Sequence, residues 1–194
     1  MKYIATIIVT ALLAGSAFAG ERIVTTGKTY KGPPAVEECF GPQELQIDIF
    51  GQYIDGNAPF HAGPISDHGW GGGIGINKFF NYNLGFGIDA SWVNADENAS
   101  LGLDETVIHH YSASLIYRWP IQESCLAPYV YVGGGVACDG ETWAFGHAGL
   151  GVEYRLQPQK LGIFFDARWT YYGDRFGHGD QNNFGARVGL RWVL

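Results

Sequence analysis

Residues 107–119 read VIHHYSASLIYRW. Val107, His109, Tyr111, Ala113, Leu115, Tyr117 and Trp119 fall on one face of an extended chain, and His110, Ser112, Ser114 and Arg118 on the other. Side chains of a strand alternate between faces, so this stretch predicts a strand with one apolar and one polar face. The same period runs through most of the chain. Residues 44–53, ELQIDIFGQY, set Leu45, Ile47, Ile49, Gly51 and Tyr53 against Glu44, Gln46, Asp48, Phe50 and Gln52. Residues 70–79, 83–93, 128–136, 145–156, 162–172 and 183–194 repeat the pattern, which makes eight expected strands of roughly ten residues each. Pro128 opens the fifth, a position where proline is tolerated.

The connections after strands one, three, five and seven, at about 54–69, 94–106, 137–143 and 173–182, are polar. Those after strands two and six are tight, and the one after strand four is intermediate. Long loops at one end and short turns at the other predict an all-β fold, an eight-stranded antiparallel up-and-down transmembrane β-barrel. The aromatic residues sort accordingly. Tyr53, Trp70, Trp92, Trp169, Tyr171 and Phe184 fall near the long-loop end of the apolar face, and Tyr117, Trp119, Tyr154 and Trp192 near the short-turn end. Aliphatic residues and glycine lie between. Two aromatic girdles around an aliphatic band suit a bilayer, whereas the inner face of a soluble sandwich would not sort by height.

The last eight residues, RVGLRWVL at 187–194, form a strand flush with the C-terminus. In a closed barrel that strand pairs with the first and no edge stays free. Its polar residue, glycine and alternate final hydrophobics resemble the C-terminal assembly signal of outer-membrane barrels, carried by Arg187, Gly189, Trp192 and Leu194. Leu194 departs from it, since an aromatic is commoner there.

At the other end, Lys2 precedes an apolar run from Tyr3 to Leu13, and Ala17-Phe18-Ala19 is a small-x-small cleavage site. This predicts a signal peptide at 1–19, cleaved before Gly20. An irregular periplasmic lead-in is expected at 20–42 and the barrel at 43–194. The chain has 194 residues, 29 of them glycine, with 12 Phe, 11 Tyr and 6 Trp but one Met, which favours strands over helices. The formal net charge is −7 and no basic cluster occurs, which argues against nucleic acid as a partner.

The segments at 71–92, 128–136, 146–156 and 164–174 together resemble the small eight-stranded outer-membrane barrels of the OmpA/OmpX type, over about 43–194. The resemblance implies an outer-membrane location, with lipid, lipopolysaccharide and the barrel-assembly machinery as partners. The peptidoglycan-binding domain of larger members has no counterpart here and is not expected.

The inward face carries Asp48, Asp89, Glu153 and Asp166 with Arg118, Arg155, Arg168, Arg187 and Arg191. An eight-stranded barrel is about wide enough inside for side chains, and buried charges must pair, so these nine predict an ion-pair plug. The competing reading is a narrow path left open by the inward glycines of strands two, five and six. His110 and Ser112 share one strand face, the arrangement of a base beside a hydroxyl nucleophile. Some small outer-membrane barrels are lipid A acyl hydrolases or acyltransferases that use histidine and serine. Here the pair faces inward, away from lipid, so no enzyme activity is expected. His61, Asp67 and His68 in the first loop, and Asp174, His178 and Asp180 in the fourth, match no known metal-ligand spacing. The second loop is acidic through Asp96, Glu97, Asp104 and Glu105, and Asn98 opens a glycosylation sequon by pattern. No metal or cofactor is implied. Of three cysteines, Cys39 and Cys125 should both lie at the periplasmic rim and Cys138 at the opposite end, so a Cys39–Cys125 disulfide stands beside the alternative of three free thiols. The expected role is a non-enzymatic barrel with a plugged lumen that acts through its surface loops, with transport of ions or small solutes as the alternative.

Overall fold

The computed structural model describes residues 38–55, 65–97, 106–138, 142–172 and 181–194. The expected signal peptide lies outside the described residues, as do most of the lead-in and the loop residues His61, Asn98, Asp104, Glu105, Asp174, His178 and Asp180.

Eight strands follow one another: β1 Leu45–Asp55, β2 Ile65–Phe79, β3 Leu84–Glu97, β4 Thr106–Arg118, β5 Leu126–Cys138, β6 Thr142–Gln157, β7 Leu161–Tyr172 and β8 Gln181–Val193. Each pairs antiparallel with its chain neighbours, and β1 pairs with β8, from Gln46 opposite Val193 to Asp55 opposite Phe184, to close the barrel. The Leu194 amide donates to the Leu45 carbonyl at 2.9 Å, so the seam is bonded to its last residue.

The strands are 11 to 16 residues long rather than roughly ten. The extra residues lie mostly at the long-loop ends, where β2 begins at Ile65 and β3 runs to Glu97. Apolar alternation marks where a strand meets a hydrophobic surround, but the backbone ladder needs no apolar face and continues past it. Pro128 is the third residue of β5, not its first. Its carbonyl accepts from the Trp119 amide at 2.8 Å, so its missing N–H faces the chain just beyond the last residue of β4.

One face of every strand points out and is apolar. Leu150 is 65 % exposed, Val188 61 % and Ile74 59 %. A soluble monomer does not leave so continuous an apolar surface in water; hydrocarbon is the medium in which it is stable. The expected girdle residues all point outward. Register sets Tyr53 beside Trp70, with ring centroids 4.8 Å apart, and Tyr117 lies edge-on to Trp119 at 4.9 Å.

The inward glycines do not leave the interior open. A Cβ at Gly149 would sit 2.3 Å from the Tyr131 ring, and one at Gly85 would sit 2.8 Å from the Phe79 ring. Rings from neighbouring strands lie over the bare backbone and fill it.

Candidate functional site: the barrel lumen

The lumen is built in layers. At the short-turn mouth, Glu44 just precedes β1 and turns inward, in phase with Gln46 and Asp48. Its Oε2 receives Arg118 Nη1 at 2.7 Å and Arg155 Nη2 at 2.6 Å, and Gln46 Nε2 also donates to it at 2.7 Å. The Gly41 amide donates to its other oxygen. Burial alone would raise the Glu44 pKa. The Arg118 and Arg155 guanidiniums and these donors outweigh it and hold the carboxyl below its ordinary value of 4.5.

Arg155 continues to Glu153 at 2.7 Å, and Glu153 to Arg191 at 2.6 Å. Arg191 then grips Asp48 with two nitrogens, at 2.8 and 2.7 Å. Three arginines thus alternate with three carboxylates in one chain of contacts. Asp48 and Arg191 lie directly opposite each other across the β1–β8 seam. Asn77 Nδ2 adds a 2.8 Å bond to Asp48.

A second network lies nearer the long loops. Arg187 donates to both oxygens of Asp166, and Tyr129 and Tyr131 each donate a hydroxyl to that carboxylate at 2.9 Å. Arg187 also approaches Asp89 at 3.9 Å, and Arg168 reaches Asp89 at 3.4 Å. Two arginines face two carboxylates. Each network therefore sums to zero formal charge. That is the condition for keeping ten ionised groups inside a barrel this narrow, since an unpaired buried charge costs on the order of several kcal/mol.

The nine charges expected inside are all brought together, and Glu44 is the tenth. Its absence from the expected set left one arginine in excess. The signal was present, because Glu44 shares the parity of Gln46 and Asp48, but it sits at the strand boundary where periodicity says least. Tyr129, Tyr131 and His147 were also missed. His147 Nε2 lies 2.8 Å from the Ser114 hydroxyl.

His110 and Ser112 are not coupled. His110 Nε2 lies 2.9 Å from the Tyr172 hydroxyl, and Ser112 donates to Asp89 at 2.7 Å. Each is buried on the lumen side. Among the described residues no three metal-binding side chains gather. His68 lies against the Tyr53 ring, centroids 6.3 Å apart.

Among the described residues, apolar side chains pack at both ends of the lumen. On the loop side, Val93, Ile108, Ala137, Phe145 and Tyr172 form an apolar cluster. At the short-turn mouth Phe40 is fully buried, with the guanidiniums of Arg118 and Arg155 at 5.2 and 5.0 Å from its ring. Arg118 lies between Phe40 and Phe79, 3.8 Å from the latter. Cys39 is disulfide-bonded to Cys125, Cα atoms 5.4 Å apart, and Cys138 is a free thiol at the other end. Inside the barrel, a cavity of about 20 Å³ borders His110 and Arg168, and one of about 30 Å³ borders Asp48 and Asp89. Arg187 separates them. Such volumes hold one or two waters.

Comparison with known proteins agrees with this architecture. Residues 42–191 match the outer membrane protein beta-barrel domain family. Among solved structures, Neisserial surface protein A is similar with a TM-score of 0.61 and 17% identity, over 78% of this chain and 97% of that one. OprG from Pseudomonas aeruginosa is similar with a TM-score of 0.53 and 12% identity, over 80% of this chain and 97% of that one. The N-terminal barrel of Pseudomonas aeruginosa OprF gives 0.52 and 15%, over 79% and 99%. Identities this low speak for the fold alone. No curated protein matches the sequence. Most of the chain fits the family's sequence pattern, and the barrel it forms is closed, antiparallel and apolar outside: the chain belongs to the outer membrane protein beta-barrel domain family.

Proposed function

We propose that this protein is a non-enzymatic, integral outer-membrane barrel whose lumen is sealed and whose role is carried by its surface loops, in envelope structure or contact with other surfaces. The observation that supports this most is the pair of charge-neutral networks, closed off by the Phe40 and Phe145 layers. Moving an ion through would require parting contacts of 2.6–2.8 Å. The separated His110 and Ser112 offer no activated nucleophile, which supports leaving catalysis out of the proposal.

The outward band is in contact with lipid and lipopolysaccharide in this reading, and the girdle aromatics sit at the two interfaces. Arg187, Gly189, Trp192 and Leu194 are read by the barrel-assembly machinery. The signal peptide is removed before Gly20, which the N-terminal mass of the mature protein tests. The lumen is tested by refolding the mature chain into a planar bilayer. A folded barrel should give a silent membrane. Steady, discrete conductance that changes with Arg168→Ala would replace the sealed reading with transport of ions or small solutes.

A further inference from the structure

Residues 38–41 close the periplasmic mouth without joining the sheet. Cys39 is 3% exposed and Phe40 fully buried, yet neither belongs to a strand. Their partners come from turns. The Gln122 side chain pairs with the Phe40 backbone in both directions, accepting from its amide at 3.0 Å and donating to its carbonyl at 2.9 Å. The Gln159 amide donates to the Cys39 carbonyl at 3.2 Å, and its side chain to the Glu38 carbonyl at 3.0 Å. Arg118 Nη2 donates to the Gly41 carbonyl at 3.1 Å. A turn at residues 42–43 then leads into β1, and is the point about which the segment can swing. One covalent bond, the disulfide to Cys125, ties this plug to the far side of the mouth, 86 residues along the chain.

The two cysteines differ in exposure. Cys39 is buried inside the mouth, whereas Cys125 lies in the β4–β5 turn and is partly exposed. Cys125 also has φ of 54°, a left-handed conformation that a residue other than glycine keeps only where its surroundings hold it. A thiolate arriving from the periplasm therefore meets the Cys125 sulfur first.

We propose that the Cys39–Cys125 disulfide is a redox latch on a periplasmic plug, opened by a dithiol reductant, after which residues 38–41 leave the mouth and uncover Arg118, Arg155 and Glu44. In the reaction, one thiolate of the dithiol attacks Cys125 Sγ. A mixed disulfide forms, the Cys39–Cys125 bond breaks, and Cys39 leaves as a thiolate that takes up a proton. The second thiol of the reductant then displaces the Cys125 sulfur. Two electrons and two protons pass from the dithiol to the protein, and the reductant ends as its own disulfide. The uncovered mouth presents the polar Arg118–Glu44–Arg155 cluster where the closed mouth presents a buried ring.

The inference rests on the sealed-lumen reading for the place of the plug. The layers of Asp48 and Asp166 lie above it and stay closed, so the latch and the seal fail separately: hydrogen exchange reads the first and conductance the second. The experiment is hydrogen–deuterium exchange of the mature protein in lipid vesicles, with and without dithiothreitol, with both thiols confirmed free by alkylation. The expected result is exchange at least tenfold faster across 38–44 in the reduced protein, with β1–β8 unchanged. The double variant Cys39→Ser/Cys125→Ser should show the same pattern without reductant. Unchanged protection of 38–44 in both would show that the plug holds without its latch and overturn the proposal. Lost protection throughout the strands would overturn it equally, because the disulfide would then brace the barrel instead of latching a plug.

Discussion

Arg187 Nε and Nη2 donate to the two oxygens of Asp166 at 2.8 and 2.9 Å, a bidentate pair between residues directly opposite each other on β8 and β7. The Asp166 side chain is fully buried, and the Tyr129 and Tyr131 hydroxyls complete its shell. Four strands meet through it: β5 by two tyrosines, β7, β8, and β3 by the approach of Arg187 to Asp89. The carboxylate thus acts as the hub of the loop-side network, where fork-on-carboxylate geometry gives direction as well as attraction.

Asp166→Asn should destabilise the barrel by about 3–5 kcal/mol, the usual result of breaking one side of a buried pair. Asp166→Asn combined with Arg187→Gln should cost less than the sum of the two single changes, because no charge is then left unpaired. Urea unfolding of the refolded barrel, followed by tryptophan fluorescence, gives the comparison. Strict additivity would mean that the two residues do not act as a pair.

Glu44→Gln leaves Arg118 and Arg155 without their shared carboxylate charge and should cost about 3 kcal/mol at neutral pH. The pH dependence has a definite sign. The carboxyl is held below its ordinary value of 4.5, so its contribution is complete above pH 4.5 and disappears as pH falls through the lower folded value. The stability difference between wild type and Glu44→Gln should stay constant from pH 7 to about 5 and narrow below 4.5. A gap that holds constant down to pH 3 would show that Glu44 gains nothing from its charge.

Much of this was legible in residues and some was not. Alternation at 107–119 showed which side chains of β4 face in, because period two survives any register. It also placed Asp166 and Arg187 inside, but not opposite each other. That depends on how β7 and β8 are paired, and a shift of two residues would keep every face and change every partner. Glu44 was legible on the face of Gln46 and Asp48 and was left out only of the charge set, whereas Pro128 was misplaced because strand ends follow the hydrogen-bond ladder, not hydrophobicity. The staple of the lead-in across the mouth was legible in the positions of Cys39 and Cys125, but not the contacts beneath it, since Phe40 and Gln122 come together through turns that carry no periodicity. The inward glycines of strands two, five and six suggested space only because the rings that cover such positions, as Tyr131 covers Gly149, sit on neighbouring strands.

Gly85→Ala tests that filling. Its new Cβ would meet three ring atoms of Phe79 at 2.8–3.0 Å, and the ring cannot withdraw without losing its place under Arg118. The substitution should destabilise by about 1–3 kcal/mol, the common range for overpacking. Phe79→Leu in the same chain should recover part of the loss, although Phe79→Leu alone destabilises. If Gly85→Ala proves neutral, the lumen at this height is looser than the contacts indicate.

The last residues separate folding from assembly. Arg187 and Gly189 have work inside the barrel: the first pairs with Asp166, and a Cβ on the second would meet the Phe164 ring at 2.7 Å. Changing either confounds stability with recognition. Leu194 is 73 % exposed and points outward, as does Trp192, so neither has an inward packing partner to lose. Leu194→Ala should leave the unfolding midpoint and the yield of unassisted refolding into lipid vesicles nearly unchanged, within the roughly 0.5 kcal/mol typical of surface substitutions. Assembly into the outer membrane of living cells should nonetheless fall several-fold, and Leu194→Phe, which restores the commoner terminal aromatic, should keep or raise it. An equal loss in vesicles and in cells would mean that Leu194 matters to the β1–β8 seam and is not read by an assembly partner.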